Sequence, residues 1–309
     1  MAFYLVSLIP VIVISLLYYD QANESLEKEI GLYTVEITKQ VERSLTAFSD
    51  ELDQMVNLIR YNDSVQHMLS MKSYEGTDQQ VQSLVNIRGL FATIGNTRNH
   101  MQGIFLVNDA GINVYDAPRI VVDQRYPFRE QEWFRRIQGT GLTFVPPHEQ
   151  AYARAQDQPV ISFGYRLTQF SQYKETGTLW IDYDPRFIDE MNKDVVLGQT
   201  GSVFLLTDEG VPINAPGFFH REWLTEKTFQ SILAMDQGHR IVTVDRQDLL
   251  IGITSVPEMG MKIIGIVPFH EISSGIRDMQ YDLTWIVGLT VLFIFILSYY
   301  ISKAITSPM

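Results

Sequence analysis

The sequence predicts an α+β chain with two tandem modules on a long N-terminal helix, flanked by two transmembrane helices. Three observations carry this. Both ends are apolar, with no Lys, Arg, Asp or Glu in residues 1–19 or 283–302. An apolar stripe at helical spacing runs from Leu26 to Ile59. Beyond it, a strand-and-turn signature occurs twice. The chain has 309 residues and a net charge of −12, nearly all of it carried by the middle. That acidic balance argues against nucleic acid as a partner, because phosphate binding needs a basic surface. With no Cys in the chain, a disulfide scaffold, a thiolate nucleophile, a Cys zinc site and an iron–sulfur cluster are excluded.

Residues 1–19 are read as the first transmembrane helix. Ala2–Tyr19 spans about 27 Å at 1.5 Å per residue, close to the hydrocarbon thickness of a bilayer. Residues 283–302 are read as the second. Tyr18, Tyr19, Tyr281, Trp285, Tyr299 and Tyr300 lie near the ends of these stretches, as an interfacial aromatic belt does. A cleaved signal peptide is the alternative for the first, although it has no basic n-region and no small-x-small cleavage site. A buried core helix is the alternative for the second. Two spans put both termini on one side, and Lys303 marks that side as cytoplasmic. The expectation is a two-pass protein of the cell membrane with residues 20–282 extracytoplasmic.

Residues 20–100 hold the long signalling helix and a second helix. From Gln21 to Met71 there is no Pro, and Gly31 is the one Gly. Leu26, Ile30, Tyr33, Ile37, Val41, Leu45, Phe48, Leu52, Met55 and Ile59 recur every three or four residues, which is the period of one helix face. That stripe must be covered by the domain it supports or by a second copy of the chain. A homodimer with its interface near Leu26–Ile37 is expected. The second helix is placed at Asp78–Asn96.

From Gln102 the period becomes that of strands, at 103–108, 112–116, 142–145, 160–168 and 178–183, with a short helix at Trp133–Ile137. Residues 104–111 read IFLVNDAG and residues 203–210 read VFLLTDEG. In each, an apolar strand runs into Asp-x-Gly, a tight turn before a second strand. The closing strands TLWIDYD and KIIGIV each precede a proline, Pro185 and Pro268, placed to open a helix at its first turn. The repeat defines a membrane-distal module at 101–185 and a membrane-proximal module at 186–268. A juxtamembrane helix follows at 269–282.

With these residues in order, the chain resembles a double Cache extracytoplasmic sensor, whose two modules are PAS-like. The resemblance rests on GIFLVNDAG, EWFRRI, PVISFGYRL, TGTLWIDYD, LGQTGSVFLLTDEG and GMKIIGIVPFHEI taken in sequence. Residues 303–309 resemble the start of a HAMP linker, with Ile305, Thr306, Ser307 and Pro308 fitting an Ile-x-x-Pro. The style is most similar to sensor histidine kinases of the YesM/LytS type, with the phosphorylated His and the ATP site lying beyond the chain. A chemotaxis receptor is the alternative output, and a protein-docking module without its own ligand is another.

The resemblance implies a ligand in the distal module, between the sheet and a flap at Arg119–His148. The amine-sensing version of the family carries Arg-x-Trp-Tyr in the flap, a later Tyr, and an Asp on the closing strand. Here Trp133 fits, but Arg129 stands four residues before it rather than two, and Phe134 replaces the Tyr. His148 falls where the later Tyr does, and Asp182 where the carboxylate does. That amino-acid signature is broken, and amino-acid sensing is not expected. An aromatic face with Arg129, Asp182 and Tyr165 nearby suits a small polar molecule such as a sugar, bound directly or carried by a solute-binding lipoprotein. Each residue also has a plainer reading: Trp133 as core packing, Asp182 as a strand-end cap, Arg129 as a solvated charge.

No cofactor and no metal site are expected. The six His include no pair at i, i+4, and His148-Glu149 lacks the second His of a zinc-protease helix. There is no Gly-x-Ser-x-Gly elbow and no phosphate-binding Gly-rich loop ending in Lys-Ser/Thr. Catalysis by this chain is therefore not expected.

Overall fold

The computed structural model describes residues 2–271, with breaks at 124, 155–158, 172–173, 218, 221, 224–226, 245 and 270, and then 285–286, 288–296 and 300. The side chains of residues 2–20 lie outside this set, as do most of 270–284 and all of 301–309. The expected spans, the juxtamembrane helix beyond Glu271 and the linker start at 303–309 therefore fall wholly or partly outside the described residues. Among the described residues, no helix is long and apolar enough to cross a membrane.

Helix α1 runs unbroken from Ala2 to Arg60. Two shorter helices fold back against its far end. α2 (Asp63–Ser70) starts where Asn62 accepts from the backbone N–H groups of Ser64 and Val65 at 3.0 and 3.3 Å, satisfying donors that a helix start leaves open. α3 (Asp78–Gly95) is capped in the same way by Thr77.

The distal sheet has five antiparallel strands in the order β2-β1-β7-β6-β4. They are β1 (Met101–Asn108), β2 (Asn113–Asp116), β4 (Thr143–Glu149), β6 (Pro159–Gln169) and β7 (Lys174–Tyr183). Side chains alternate cleanly between the two faces. Leu179, Ile181 and Tyr183 of β7 join the core beneath α1, α2 and α3, with Ile161, Phe163 and Tyr165 of β6. Phe105 and Trp180 point to the other face, against the flap. The flap comprises the two-stranded ribbon β3 (Val121–Val122) and β5 (Ala153–Arg154), a 3₁₀ turn at Phe128–Glu130, and α4 (Glu132–Arg135). It presses on the sheet at Gly164, where an added Cβ would stand 2.5 Å from Ile137.

Helix α5 (Arg186–Met191) follows Pro185 and leads to the proximal sheet, of order β8-β11-β10-β9. Its strands are β8 (Ser202–Thr207), β9 (Gln237–Val244), β10 (Gln247–Val256) and β11 (Met261–Pro268), with α6 (Lys227–Leu233) before β9. Both Asp-x-Gly turns form, with Gly111 at φ 86° and Gly210 at φ 81°, a region open to Gly at little cost. The first turn is followed by β2. The second leads only to a single bridge between Leu206 and Pro212. Pro212 has no N–H to give a ladder, which is why the expected second strand is cut short.

The α1 stripe packs as expected along its upper half. Val41, Leu45, Leu52, Met55 and Ile59 are all at most 3% exposed. Its lower half is rotated. Tyr33 is 52% exposed, while Thr34 and Thr38 are fully buried against the proximal sheet. Gly252 and Gly265 make room for this: a Cβ at either would meet Thr34 Cγ2 at 2.6 or 3.1 Å. The Thr38 and Thr254 hydroxyls then share a 2.8 Å hydrogen bond, so the close approach leaves no polar atom of this pair unmet.

Candidate ligand chamber on the distal sheet

The register of the distal sheet builds the site. Asp182 pairs with Gly103 on one side and with Ser162 on the other. Trp180 pairs with Phe105 and Gly164. All point to the flap face by the two-residue alternation. Phe105 and Trp180 lie ring on ring, 5.0 Å apart and 4° from parallel. The flap adds Phe128 at 5.0 Å from Trp180, Phe134 edge-on at 5.5 Å, and Trp133 at 5.7 Å. Trp133 in turn stacks on His148 at 4.8 Å.

Asp182 sits at the end of this aromatic cluster and is fully buried. Ser162 Oγ donates to one carboxylate oxygen at 2.5 Å, and the Tyr152 hydroxyl donates to the other. Gln150 Nε2 lies 3.4 Å from the Tyr152 hydroxyl, and His148 Nε2 lies 3.5 Å from Ser162 Oγ. Among the described residues, every partner of the carboxylate is thus a neutral donor. Burial pushes the Asp182 carboxyl up to about 7, against the hydrogen bonds from Ser162, Tyr152 and Gln150 that pull it down. Burial likewise holds the Tyr152 hydroxyl well above its usual range, and the neighbouring Asp182 charge adds to this. The His148 imidazole is pushed below its usual value by burial, opposed by its contact with the Pro146 carbonyl. At neutral pH Tyr152 and His148 therefore stand beside Asp182 without adding charge of their own. The buried Trp180 indole Nε1 lies beside the Tyr152 hydroxyl.

The residues singled out from the sequence are partly brought together. Trp133, Phe134, His148 and Asp182 share the chamber. Arg129 does not join them. Its guanidinium donates to the Asn108 carbonyl, five residues along β1 from the partner of Asp182. That is about 17 Å at roughly 3.4 Å per residue. Tyr165 lies on the other face, in the core under α1, only 1% exposed. It stands an odd number of residues from Ser162, so the pleat turns it away. Tyr152, Ser162 and Gln150 are the additions. Tyr152 reads as a surface aromatic in an irregular stretch, yet it is fully buried. Ser162 becomes visible only once β6 and β7 are paired in register. Among the described residues no group of three His, Asp or Glu is placed to hold a metal.

Comparisons with known proteins bear on this geometry. A family model described as a Cache domain, dCache_1, matches residues 18–276. The chain is 21% identical over its whole length to a probable methyl-accepting chemotaxis protein of Bacillus thuringiensis subsp. konkukian, and spans 44% of that relative. Among solved structures, it resembles the ligand-binding domain of the Pseudomonas fluorescens chemoreceptor CtaA in complex with L-isoleucine. There the identity is 12% and the TM-score 0.59, over 82% of this chain and 98% of that one. The ligand-binding domain of the Campylobacter jejuni chemoreceptor Tlp3 with L-norvaline gives 11%, 0.58, 80% and 94%. A domain of a putative sensory box/GGDEF family protein from Vibrio parahaemolyticus gives 10%, 0.56, 80% and 99%. At these identities the likeness shows a common fold. The matched family is the Cache domain and the named relatives include chemoreceptors, so the YesM/LytS expectation is narrowed to the Cache domain itself.

Proposed function

The chain belongs to the dCache_1 family of Cache domains, and from that premise we propose that it is the sensory part of a chemoreceptor. It takes a small polar molecule into the chamber between the distal sheet and its flap. Chemotaxis output replaces the histidine kinase as the favoured reading, because the curated relative that the chain matches along its whole length is a probable chemotaxis protein. The observation that carries the binding role is Asp182: a fully buried carboxyl, ringed by aromatic faces and met, among the described residues, by the neutral donors Ser162 and Tyr152. Buried carboxylates without a counter-charge are costly, and a fold keeps one where something pairs with it.

The signal passes to α1, in this reading, through packing. α1 lies under both sheets, with Val41–Ile59 against the distal core and Thr34 and Thr38 against the proximal one. A ligand moves such a helix only by binding one arrangement better than another. The coupling available is typically about 1–3 kcal/mol. Residues 20–282 are placed outside the membrane, with residues 1–19 and 283–302 as its anchors. The working unit is a homodimer, for which the exposed Leu32 and Tyr33 offer an interface. The chain acts by binding rather than catalysis.

A thermal-melt screen of the 309-residue chain tests this. Polar small molecules that stabilise it by RT ln(1 + [L]/Kd) are expected, with the shift abolished in Trp133→Ala and retained in Tyr165→Phe. A shift unaffected by Trp133→Ala would move the site elsewhere. Silence with every compound, together with capture of a solute-binding protein, would favour docking.

A further inference from the structure

We propose that Glu271 is a latch. Its carboxylate fills a carboxylate-binding nest at Gly198–Thr200 and so ties the segment that leaves β11 to the turn before β8. The latch belongs to the proximal module and stands whether or not the distal chamber takes a ligand.

The nest is built into that turn. Leu197 anchors it, 2% exposed and packed with Leu250 and Val267. Gly198 follows at φ 67°, a left-handed conformation that Gly adopts at little cost. Gly201 closes the turn so tightly that a Cβ there would stand 2.0 Å from the Leu197 carbonyl oxygen. Between the two glycines, the backbone N–H groups of Gln199 and Thr200 both point at one carboxylate. Successive N–H groups in such a turn form a concavity suited to an anion.

Glu271 fills it with both oxygens. The Gln199 N–H donates to Oε2 at 2.8 Å, and the Thr200 N–H donates to Oε1 at 3.0 Å. The Thr200 hydroxyl also donates to Oε1. Hydrogen bonds to an ionised acceptor are stronger than neutral ones. The fit is close, since a Cβ at Gly198 would stand 2.8 Å from Glu271 Oε2.

The place of Glu271 in the chain is what makes the contact a latch. β11 lies between β8 and β10, and its ladder with β10 ends at Pro268. Glu271 carries the attachment past that point and reaches back 72 residues to Gln199. The distal module differs. After β7, Asp184 accepts from the N–H of Arg186 at 2.9 Å and pairs with the guanidinium of the same residue, so that acid closes a local turn. Gln199 and Thr200 are exposed. Water and small anions therefore reach the nest, and the latch opens without unfolding the sheet. Ile30 and Tyr33 of α1 line the same cleft as Glu271. The closed latch sets the departing segment beside the lower part of α1. Opening it frees that segment, while α1 stays on the proximal sheet through Thr34 and Thr38.

The test separates the nest from the tether in the full chain. Amide-resolved hydrogen exchange reads Gln199 and Thr200. Because the chain has no Cys, a spin label on Ser273→Cys reads the departing segment alone. Glu271→Ala is expected to speed exchange of both amides at least tenfold and to make the label more mobile. Added formate, a free carboxylate, should refill the nest and slow the exchange again, whereas chloride at equal ionic strength should not. The label should stay mobile in formate, because formate is not joined to the chain. Adding Gly198→Ala should abolish the formate effect. Exchange across β10 and β11 reads the fold of each variant. If Glu271→Ala loses that protection, Glu271→Gln gives the reading, with at least threefold faster exchange expected at the two amides. Unchanged exchange in a folded variant would overturn the nest, as would formate without effect or chloride matching it. An unchanged label, or formate restoring both readouts, would overturn the latch.

Discussion

The two sheets start from similar plans and end with different interiors. By strand register, Phe105 and Phe204 are equivalent, facing Trp180 and Ile264 respectively. The residue two further along, Asp182 in the distal sheet, corresponds to Ile266 in the proximal one. The proximal sheet packs Ile264 and Ile266 with Phe219, Trp223 and Phe229, and no Asp or Glu of this module is buried among the described residues. The distal chamber keeps a carboxyl at the same place. One module is therefore finished as a core, and the other is built around a buried carboxyl whose partners among the described residues are neutral. Under the proposed function, recognition falls to the distal module and structural support to the proximal one.

Making the modules alike in the wrong direction should have the largest effect. Ile266→Asp places a carboxyl among Phe204, Ile264 and Trp223 without the donors that Ser162 and Tyr152 provide to Asp182. A loss of about 3–5 kcal/mol is expected, read from the denaturant midpoint. A loss below 1 kcal/mol would break the comparison.

Asp182 itself should shape the pH dependence of stability. Its carboxyl binds a proton more tightly in the folded chain than the usual 3.8, at about 7. The folded state thus holds the extra proton between these values, so stability is greatest below about pH 4 and declines as pH rises towards 7. The full span corresponds to about 4 kcal/mol. Asp182→Asn should remove this slope, and the corresponding proximal substitution Ile266→Val should leave it intact.

A smaller effect is expected where α1 meets the proximal sheet. Gly252→Ala drives a Cβ to 2.6 Å from Thr34 Cγ2. Overpacking of this kind costs about 1–3 kcal/mol, and thermal melting reads it. Ligand affinity in the distal chamber should be unchanged. The smallest is Thr38→Val, which takes away the hydrogen bond to Thr254 for about 1 kcal/mol.

Much of this arrangement could be read from the residues alone, and the misses have a common cause. The α1 stripe, the repeated Asp-x-Gly turns and the closing strands are local signals, and the elements stand where those signals put them. Trp133 and Asp182 were legible because one sits in a short amphipathic segment and the other on a patterned strand. Tyr165 and Arg129 were misplaced because the face a residue takes depends on strand register and on where a long side chain finds an acceptor. Neither is local. Tyr152 was missed because a flap without periodicity gives no inward direction. Thr34 and Thr38 were missed because polar β-branched residues look like surface, whereas two glycines on distant strands let the helix bury them.

Hydrogen exchange on the full chain, with and without the compound that raises its melting temperature most, tests the division of labour directly. The account predicts that protection rises in the flap at 121–154 and in β6 and β7, while the proximal strands β9–β11 change little. Protection confined to residues 202–268, or none in the flap, would contradict it.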